Sequence, residues 1–434
     1  MARRPSESYP TDLPAPDPGL GSLARVYPIG TRRDDDGRLE VGGCDLIEVA
    51  REFGTPAYVY AEDDIRARAR MFLDAFARRT ERFEVVWASK ALPCTAVNRL
   101  LAEEGLSCDV ASGGELHLAL LGGFSPERIY MHGNNKSEDE LAYAIDRRIG
   151  HVVIDSFDEI DRLERLVGAR KLRQAVMLRV TPGITPSTHS SVQTGQVDSK
   201  FGFALDDVPR AIGRCAAAGC LELTGLHAHI GSQIFDLEPY ERLGELLGAM
   251  GDYPLLNLGG GLGVAYTAAD EAPAIEDYVE TLLSGAPEHV KVLCEPGRSL
   301  VANAGVTVYT VGTAKRVPGV RTFVAVDGGM SDNLRPMLYG ARYEAELADR
   351  LGGETRCTIA GMHCESGDVL IRDIELDDPR PGDVLVVPAT GAYGHAMANN
   401  YNAVPRPPVV FCRDGSARAV VRRETYEDLA LRDV

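Results

Sequence analysis

The stretch Phe83-Glu84-Val85-Val86-Trp87-Ala88-Ser89-Lys90 is a short apolar run that ends on a lysine. It opens a series of eight apolar runs between residues 84 and 298: Val85–Ala88, Ser107–Ala111, Ile129–His132, Val152–Asp155, Ala175–Val180, Leu223–His229, Leu255–Leu258 and Val292–Glu295. Stretches with helical periodicity separate the runs, and the stretch Ser137–Ile145 begins with a serine suited to capping a helix. Eight alternating strand and helix units in one block predict a closed (β/α)8 barrel of the TIM type rather than an open, doubly wound sheet.

The sequence changes character after residue 300. Strands rich in β-branched residues follow one another without long helices between them: Val306–Val311, Arg321–Val326, Cys357–Gly361, Val384–Val387 and Ala417–Val421. This pattern predicts an all-β C-terminal domain. We expect a disordered tail over residues 1–21, the barrel over residues 55–300, and a β domain built from residues 22–54 together with residues 301–434.

Composition narrows the class of protein. The 434 residues are 44% hydrophobic and 25% charged, which is ordinary for a globular protein of two domains. A net charge of −18 argues against nucleic acid or an anionic membrane surface as the main partner. The nine scattered cysteines form no Cys-x-x-Cys pair, which is typical of the reducing cytoplasm. No apolar run approaches the ~20 residues needed to span a bilayer.

The carboxyl ends of barrel strands carry the active site in this fold, so the residues found there indicate the chemistry. Lys90 ends the first run, and we expect a lysine at the end of a buried strand to be shielded from water, which favours the neutral amine of a Schiff-base lysine. The glycine-rich turn Gly259–Gly263 suits phosphate binding by backbone N–H groups. Glu295 could keep a pyridine nitrogen protonated, or it could pair with Arg298.

Two histidines, His227 and His229, are two residues apart on one predicted strand and therefore point to the same face. A His-x-His pair can bind zinc, but the only other histidine at a strand end is His132 and no later strand supplies another. We therefore expect no metal site. His229 suits stacking on an aromatic cofactor, and His227 is interpreted as a packed core residue.

Taken together, these motifs resemble the fold-type III pyridoxal-phosphate decarboxylases, and most closely the diaminopimelate decarboxylases. The resemblance runs from about Gly42 to about Pro408. It rests on nine segments: Ala88–Ala91, Asp109–Glu115, His132–Ser137, Thr194–Gly202, His229–Gln233, Gly259–Gly261, Glu295–Arg298, Cys364–Asp368 and Gly391–Gly394. It implies an alanine-racemase-like barrel that binds pyridoxal 5'-phosphate, and the decarboxylation of meso-2,6-diaminopimelate to L-lysine.

The resemblance also implies roles for individual residues. Lys90 and Cys364 are the expected catalytic residues, Lys90 as the Schiff-base amine and Cys364 as the proton donor. The expected cofactor-binding residues are Lys90, His229, Ser232, Gly259, Gly260, Gly261, Glu295, Gly297, Arg298 and Tyr393. The expected substrate-binding residues are Arg298, Arg335, Tyr339, Glu365 and Tyr393. Cys364 and Glu365 match a pair that the family supplies from the second subunit, which implies a homodimer with shared active sites.

Some positions differ from the usual family pattern. Trp87 and Leu92 stand where the family often has tyrosine and asparagine, and His395 and Met397 stand where it often has small residues. A related decarboxylase of specialised metabolism is therefore an alternative. An ornithine- or arginine-type decarboxylase of the same fold is a second one, but it should lack the Thr194–Gly202 segment and the Arg335/Tyr339 pair, and both are present. Two readings from other classes are a non-catalytic pyridoxal-phosphate-binding protein and a metal-dependent barrel hydrolase; the β domain argues against the first, and the few strand-end histidines argue against the second.

Overall fold

The computed structural model describes residues 17–184 and 199–434. Most of the predicted tail, residues 1–16, and the start of the Thr194–Gly202 motif lie outside the described residues. Residues 18–21 of the predicted tail lie in a 3-10 helix, Pro18–Arg25, in which Leu20 is buried.

The chain divides into two units. One comprises the residues up to Arg68 together with Ala265–Asp270 and Val301–Val434, and the other comprises Ala69–Val264 and Glu271–Leu300.

Four short strands precede the barrel. They are β1 (Arg32–Arg33), β2 (Leu39–Val41), β3 (Cys44–Asp45) and β4 (Ala57–Ala61), with helix α1 (Leu46–Phe53) before β4 and helix α2 (Glu62–Ala77) after it. The first three strands form a small antiparallel sheet. Asp45 caps α1, because its side chain accepts a hydrogen bond from the backbone N–H of Ile47.

The barrel contains eight parallel strands in a closed ring. In chain order the strands of this region are β5 (Phe83–Ala88), β6 (Ser107–Val110), β7 (Ile129–Met131), β8 (His151–Ile154), β9 (Gln174–Thr181), β10 (Phe203–Ala204), β11 (Leu221–His227), β12 (Leu255–Asn257) and β13 (Lys291–Cys294). Parallel pairing runs β5-β6-β7-β8-β9-β11-β12-β13 and returns from β13 to β5, while β10 pairs with β9 alone among the strands of the described ranges. The predicted (β/α)8 barrel is therefore confirmed, with every predicted run on its expected strand.

Helices follow the barrel strands: α3 (Thr95–Glu103), α4 (Gly113–Gly122), α5 (Glu138–Asp146), α6 (Phe157–Ala169), α7 (Val208–Ala218), α8 (Glu238–Gly248), α9 (Ile275–Gly285) and, after the last strand, α10 (Arg298–Val301). Serine caps begin three of them, because Ser112, Ser137 and Ser156 accept hydrogen bonds from backbone N–H groups of the first turn. Ser137 forms the full capping box with Glu140 that the sequence indicates. Each cap follows the loop that leaves a strand, so it fixes the carboxyl end of the barrel.

Residues from five strands fill the inside of the barrel. Val86, Tyr130, Val153, Met177 and Leu293 form one buried cluster. Branched and aromatic side chains at these inward positions make a packed core, as is usual in barrels of eight strands. This core separates two polar ends of the barrel: the Glu84–Lys291 pair lies near the amino ends of β5 and β13, and the polar residues described below lie at the carboxyl ends.

The second sheet is mainly antiparallel. Its strands after the barrel are β14 (Gly305–Val317), β15 (Arg321–Val326), β16 (Glu346–Leu347), β17 (Thr355–Ala360), β18 (Val369–Leu376), β19 (Val384–Pro388), β20 (Val409–Arg413) and β21 (Ser416–Val421). Short helices α11 (Arg335–Tyr339), α12 (Gly394–Met397) and α13 (Tyr426–Leu429) interrupt them. The order is β18-β17-β15-β14-β4-β20-β21, with β19 beside β14 and β16.

Strand β4 belongs to this second sheet, since it pairs with β14 and β20. The predicted boundary at residue 55 placed it with the barrel. The reason for the difference is that a strand's partners are set by long-range pairing, and the buried segment Ala57–Ala61 would fit either sheet by composition.

Among the described residues, no helix combines the length and apolar character required to cross a membrane.

Candidate active site

Glu295 lies at the centre of the barrel's polar end. His227 and Asn257 are paired in register on β11 and β12, and Asn257 is paired with Leu293 on β13. Glu295 follows Leu293 by two residues, so it points to the same inward face. Asn257 Nδ2 donates to Glu295 Oε1 at 2.6 Å, and His227 Nε2 lies 3.2 Å from Oε2. The register of three neighbouring strands thus brings three buried polar side chains together.

His132 completes this cluster from the other side of the barrel. It follows β7, and its Nε2 lies 2.9 Å from Glu295 Oε1 and 3.9 Å from Asp109 Oδ1 on β6. The rings of His132 and His227 meet edge to face, with centroids 4.7 Å apart. We name the group Asp109, His132, His227, Asn257 and Glu295 the carboxylate cluster.

Charge is distributed unevenly in the carboxylate cluster. Burial alone would raise the pKa of Glu295, but His132 and His227 outweigh burial and hold that pKa well below its usual range. Burial alone would lower the pKa of His132, but Asp109 and Glu295 raise it. Burial lowers the pKa of His227 to about 4 and raises the pKa of Asp109 to about 6. At neutral pH, Glu295 is therefore an ionised carboxylate. Its Oε2 is contacted by the neutral imidazole of His227.

The glycine turn after β12 is tied to the same cluster. Asn257 Oδ1 accepts a hydrogen bond from the backbone N–H of Gly259 at 2.9 Å, so one amide side chain links Glu295 with the turn. Gly259 and Gly261 have positive φ angles of 68° and 115°. A Cβ atom at Gly260 would lie 2.0 Å from the backbone oxygen of Glu295. Glycine is required because the backbones approach too closely for a side chain.

Lys90 lies in a 3-10 turn, Ser89–Ala91, directly after β5. Its side chain is exposed, so the predicted shielding from water is wrong for the chain by itself. The physical reason is that Lys90 follows the strand in a turn at the open end of the barrel rather than lying in the buried strand. Burial raises the pKa of Asp109 and lowers the pKa of His229. The Lys90 ammonium partly offsets the first shift and adds to the second.

The turn that carries Lys90 is fixed on two sides. The Ser89 hydroxyl donates to Glu115 Oε2 at 3.2 Å, and the same oxygen accepts from the backbone N–H of Ala111 at 2.7 Å. On the other side, a Cβ atom at Gly297 would lie 3.0 Å from the Cβ of Ala88. Gly297 therefore lets the Glu295–Arg298 segment pack against the Lys90 turn. Its predicted contact with the cofactor stays a prediction.

His229, Ser232 and Arg298 surround the glycine turn. The backbone N–H of Gly260 donates to His229 Nδ1 at 3.2 Å, which requires an unprotonated Nδ1. Burial and the charge of Lys90 hold the pKa of His229 well below its usual range, so the imidazole is neutral. Arg298 Nη2 donates to the Ser232 hydroxyl at 2.8 Å. The alternative in which Arg298 pairs with Glu295 is not the arrangement seen, because the partners of Glu295 are histidines and an asparagine.

The other unit carries the remaining predicted residues. Cys364 is exposed, and it is the single exposed thiol among the nine cysteines, all of which lie in the described part of the chain. Its backbone N–H donates to Asn402 Oδ1 at 3.0 Å. Asp368 closes the loop, because it accepts hydrogen bonds from the backbone N–H of Met330 at 2.7 Å and from the backbone N–H and Nδ1 of His363 at 2.9 and 2.8 Å. The loop is thus anchored while Cys364 and Glu365 remain exposed.

Arg335, Tyr339 and Tyr393 lie in the same unit as Cys364. Arg335 begins α11 and is buried, while Tyr339 ends that helix and is half-buried. Tyr393 precedes α12 with a positive φ of 66°, which is uncommon for a residue other than glycine. Tyr393 also acts electrostatically on Arg335. The structure therefore groups the predicted residues into a barrel set and a set in the β-rich unit.

Sequence reasoning missed part of the carboxylate cluster. Asn257 follows no motif and was not predicted, and His227 was interpreted as a core residue although it contacts Glu295. His132 and Asp109 were visible as polar residues at strand ends, which is the signal that could have found them.

Ligand atoms of His132, His227 and Glu295 lie within 4.8 Å of one another, a spacing that a metal ion could also use. The absence of a metal site therefore stays a prediction.

The barrel set fits pyridoxal phosphate. That cofactor needs an amine for its aldehyde, an anion for its ring nitrogen and N–H donors for its phosphate. Lys90 supplies the amine, and Glu295 is the buried ionised carboxylate. The Gly259–Gly261 turn has no side chains to keep a phosphate from its backbone, but the N–H groups of Gly259 and Gly260 already donate to Asn257 and His229. The amine and the anion therefore lie in one unit, and the phosphate site stays a prediction.

Comparisons with known proteins agree with this set of groups. A family model described as the pyridoxal-binding domain of pyridoxal-dependent decarboxylases matches residues 62–302. The diaminopimelate decarboxylase of Bacillus subtilis is 47% identical over 425 residues, which cover 93% of this chain and 97% of that protein. The diaminopimelate decarboxylase of Actinosynnema pretiosum is 47% identical over 441 residues, which cover 98% and 97%.

A solved structure gives the same result. The diaminopimelate decarboxylase from M. jannaschii, crystallised with L-lysine, matches with a TM-score of 0.88 and 34% identity, covering 93% of this chain and 97% of that chain. The family that the sequence motifs predicted is confirmed. With this identity over nearly its whole length, and with an amine, a fixed carboxylate and a glycine turn at one end of its barrel, the chain belongs to the diaminopimelate decarboxylase family of pyridoxal-phosphate enzymes.

Proposed function

We propose that the chain decarboxylates meso-2,6-diaminopimelate to L-lysine and carbon dioxide, the last step of lysine biosynthesis, with pyridoxal 5'-phosphate as its cofactor. The relatives that match over nearly the whole chain carry this activity in their names. The observation that carries the proposal is the carboxylate cluster, in which Glu295 is buried, ionised and fixed by Asn257, His132 and His227.

Glu295 provides the electrostatic part of the reaction. When bound, pyridoxal phosphate accepts the electron pair that the departing carbon dioxide leaves at the substrate α-carbon. Glu295 keeps a proton at the pyridine nitrogen, because an ionised carboxylate stabilises a positive charge beside it. Asn257 and His227 hold the carboxylate so that its orientation does not change during the reaction.

Lys90 and the glycine turn hold the cofactor in place. Lys90 supplies the primary amine that binds the aldehyde, and its position in a short fixed turn limits where that amine can lie. Gly259–Gly261 with Ser232 and Tyr393 would hold the phosphate, and the neutral imidazole of His229, whose Nδ1 accepts from the N–H of Gly260, would stack on the ring. Gly297 keeps the Glu295–Arg298 segment close to Lys90.

Substrate selection falls to Arg298, Arg335 and Tyr339, which bind the distal carboxylate of diaminopimelate. Arginine suits this task because its guanidinium stays charged and matches the geometry of a carboxylate. Glu365 and Tyr393 are the other substrate contacts. Ornithine and lysine lack the distal carboxylate, so they would leave the buried guanidinium of Arg335 without an anion.

We further propose a homodimer in which Cys364 and Glu365 of one subunit complete the active site of the other. An exposed thiol on an anchored loop supports this, because the chain by itself gives Cys364 no enclosed surroundings. Cys364 donates the proton that replaces the lost carboxylate. The barrel of each subunit would then depend on its partner for the acid.

We also propose that the enzyme acts in the cytoplasm. All nine cysteines are unpaired thiols, and eight of them are not exposed. Thiols in this state are typical of a reducing compartment. If the protein acts in this compartment, its melting temperature should be the same with and without a reductant.

The test is a substrate panel. The purified protein is incubated with pyridoxal phosphate and with meso-diaminopimelate, ornithine, arginine or lysine, while released carbon dioxide and product are measured. Diaminopimelate should give L-lysine, and kcat/KM for the other three should be lower by on the order of a hundredfold, because a buried charge loses its partner. Equal turnover of ornithine and diaminopimelate would contradict the proposal.

A further inference from the structure

Arg335 is a buried cation held by aromatic rings. Only 7% of the residue is exposed. Its Nη1 donates to the Tyr343 hydroxyl at 2.5 Å, and its guanidinium carbon lies 4.5 Å from the centroid of the Tyr266 ring. The two tyrosine rings are perpendicular, with centroids 5.4 Å apart. We name Tyr266 and Tyr343 the tyrosine clamp.

The tyrosine clamp is itself fixed. Tyr266 is 6% exposed and Tyr343 is 4% exposed. Asp270 accepts hydrogen bonds from the backbone N–H groups of Tyr266 and Thr267, each at 2.9 Å, which closes the turn under the Tyr266 ring. The side chain of Asn303 donates to the backbone oxygen of Ala265 at 2.7 Å. These hydrogen bonds fix the backbone on both sides of Tyr266 and thereby the position from which its ring extends.

The partners of Arg335 leave its charge available. Within residues 17–184 and 199–434, no carboxylate lies within ion-pair distance of Arg335. A buried guanidinium usually has a carboxylate partner, because an uncompensated charge is costly to bury. Aromatic faces and a phenol hydroxyl attract the cation without neutralising it. The clamp thus orients Arg335 and keeps its positive charge for a ligand.

We infer that Tyr266 and Tyr343 are positioning residues that determine specificity, because they hold the Arg335 guanidinium in one orientation for an anionic group on the substrate. The inference rests on the proposed function, in which that group is the distal carboxylate of diaminopimelate. A carboxylate in place of either tyrosine would pair with Arg335 and compete with the substrate. A clamp without charge avoids this competition.

The experiment compares four variants on diaminopimelate and on lysine, which lacks the distal carboxylate. Tyr343→Phe removes one hydroxyl and retains the ring. Tyr266→Leu removes the aromatic face, and Tyr266→Phe is its matched control because it retains that face. Arg335→Ala removes the cation. Bound pyridoxal phosphate absorbance and melting temperature report whether each variant is folded.

We expect Tyr343→Phe and Tyr266→Leu each to raise KM for diaminopimelate about tenfold with a much smaller change in kcat, because the distal group binds equally in the ground and transition states. The preference for diaminopimelate over lysine should fall by the same factor, and Tyr266→Phe should retain most of it. A purely structural role would lower both activities together and leave the preference unchanged.

The variants separate two kinds of failure. An unchanged preference in Arg335→Ala would show that the proposed grip on the distal carboxylate is wrong. If Arg335→Ala loses the preference while Tyr343→Phe retains it, the grip stands and the clamp is wrong. If Tyr266→Leu does not fold, Tyr343→Phe decides the question, since the loss of one hydroxyl leaves the packing of the ring intact.

Discussion

Two buried charges are held in different ways in this molecule. Glu295 in the barrel has partners on both oxygens, and one of them, His132, is a titratable base whose pKa is raised by Glu295 and Asp109. Arg335 in the β-rich unit has a hydroxyl and an aromatic face, and no carboxylate within ion-pair distance among the described residues. The difference is that a negative charge is paired and fixed in the first centre, whereas a positive charge is oriented without a carboxylate partner among the described residues in the second.

The same contrast holds for the two proposed catalytic residues. Lys90 lies in a turn fixed by Ser89 and by packing against Gly297, beside the carboxylate cluster of its own unit. Cys364 lies on an anchored loop with its thiol exposed. Under the proposed function, the barrel therefore contains most of its own chemistry, whereas the exposed thiol of Cys364 would act in the site of the partner subunit.

The largest effect is expected for Lys90→Ala. This change should abolish decarboxylation and the linkage to the cofactor that borohydride reduces, because Lys90 is the proposed Schiff-base amine and the nearby buried amine of Lys136 is paired with Glu159. The sequence contains six lysines, so mass spectrometry of the reduced protein can assign the labelled residue. Lys291→Ala is the control, since Lys291 begins β13 at the far end of the barrel and pairs with Glu84. A label on another lysine would contradict the assignment.

Glu295→Gln should have the next largest effect. The amide retains the size of the side chain but cannot stabilise a proton at the pyridine nitrogen, so kcat should fall by about a hundredfold to a thousandfold. Glu84→Gln is a matched control, because Glu84 is also a partly buried, ion-paired carboxylate but lies near the amino end of β5. A kcat for Glu295→Gln within tenfold of the wild type would remove the carboxylate cluster from the mechanism.

A smaller effect is expected for His132→Gln, and it should depend on pH. The pKa of His132 is raised in the folded chain, so its stabilising contribution is complete below its unfolded pKa and is lost as pH rises through the raised value. The deficit in melting temperature of His132→Gln should therefore be largest near pH 6 and shrink towards pH 9.

His227→Gln sharpens that prediction. Burial holds the pKa of His227 at about 4, so this histidine is neutral in the folded chain across the same pH range. Its deficit in melting temperature should change little above pH 7, where the unfolded histidine is also neutral. Identical pH profiles for the two variants would show that protonation of His132 does not stabilise the folded chain.

Much of the barrel could be predicted from sequence, because buried parallel strands are continuous apolar runs and serine caps mark the helices between them. The positions of Glu295 and of the turn Gly259–Gly261 at the carboxyl end of the barrel could also be predicted, since both directly follow strands. Asn257 and the contact of His227 with Glu295 were not, because they depend on the register of β11, β12 and β13, which no local pattern reveals. The exposure of Lys90 and the sheet membership of β4 likewise depend on tertiary structure.

The central claim is that a barrel from one subunit and a Cys364 loop from another make one active site, and subunit complementation tests it most directly. Lys90→Ala and Cys364→Ala should each be nearly inactive alone. After thorough subunit exchange, confirmed with tagged chains, about half of the dimers are mixed and each has one intact site of two, so activity should return to about a quarter of wild type. Activity no higher than that of the two parents would contradict the shared site and place Cys364 in its own subunit or outside the chemistry.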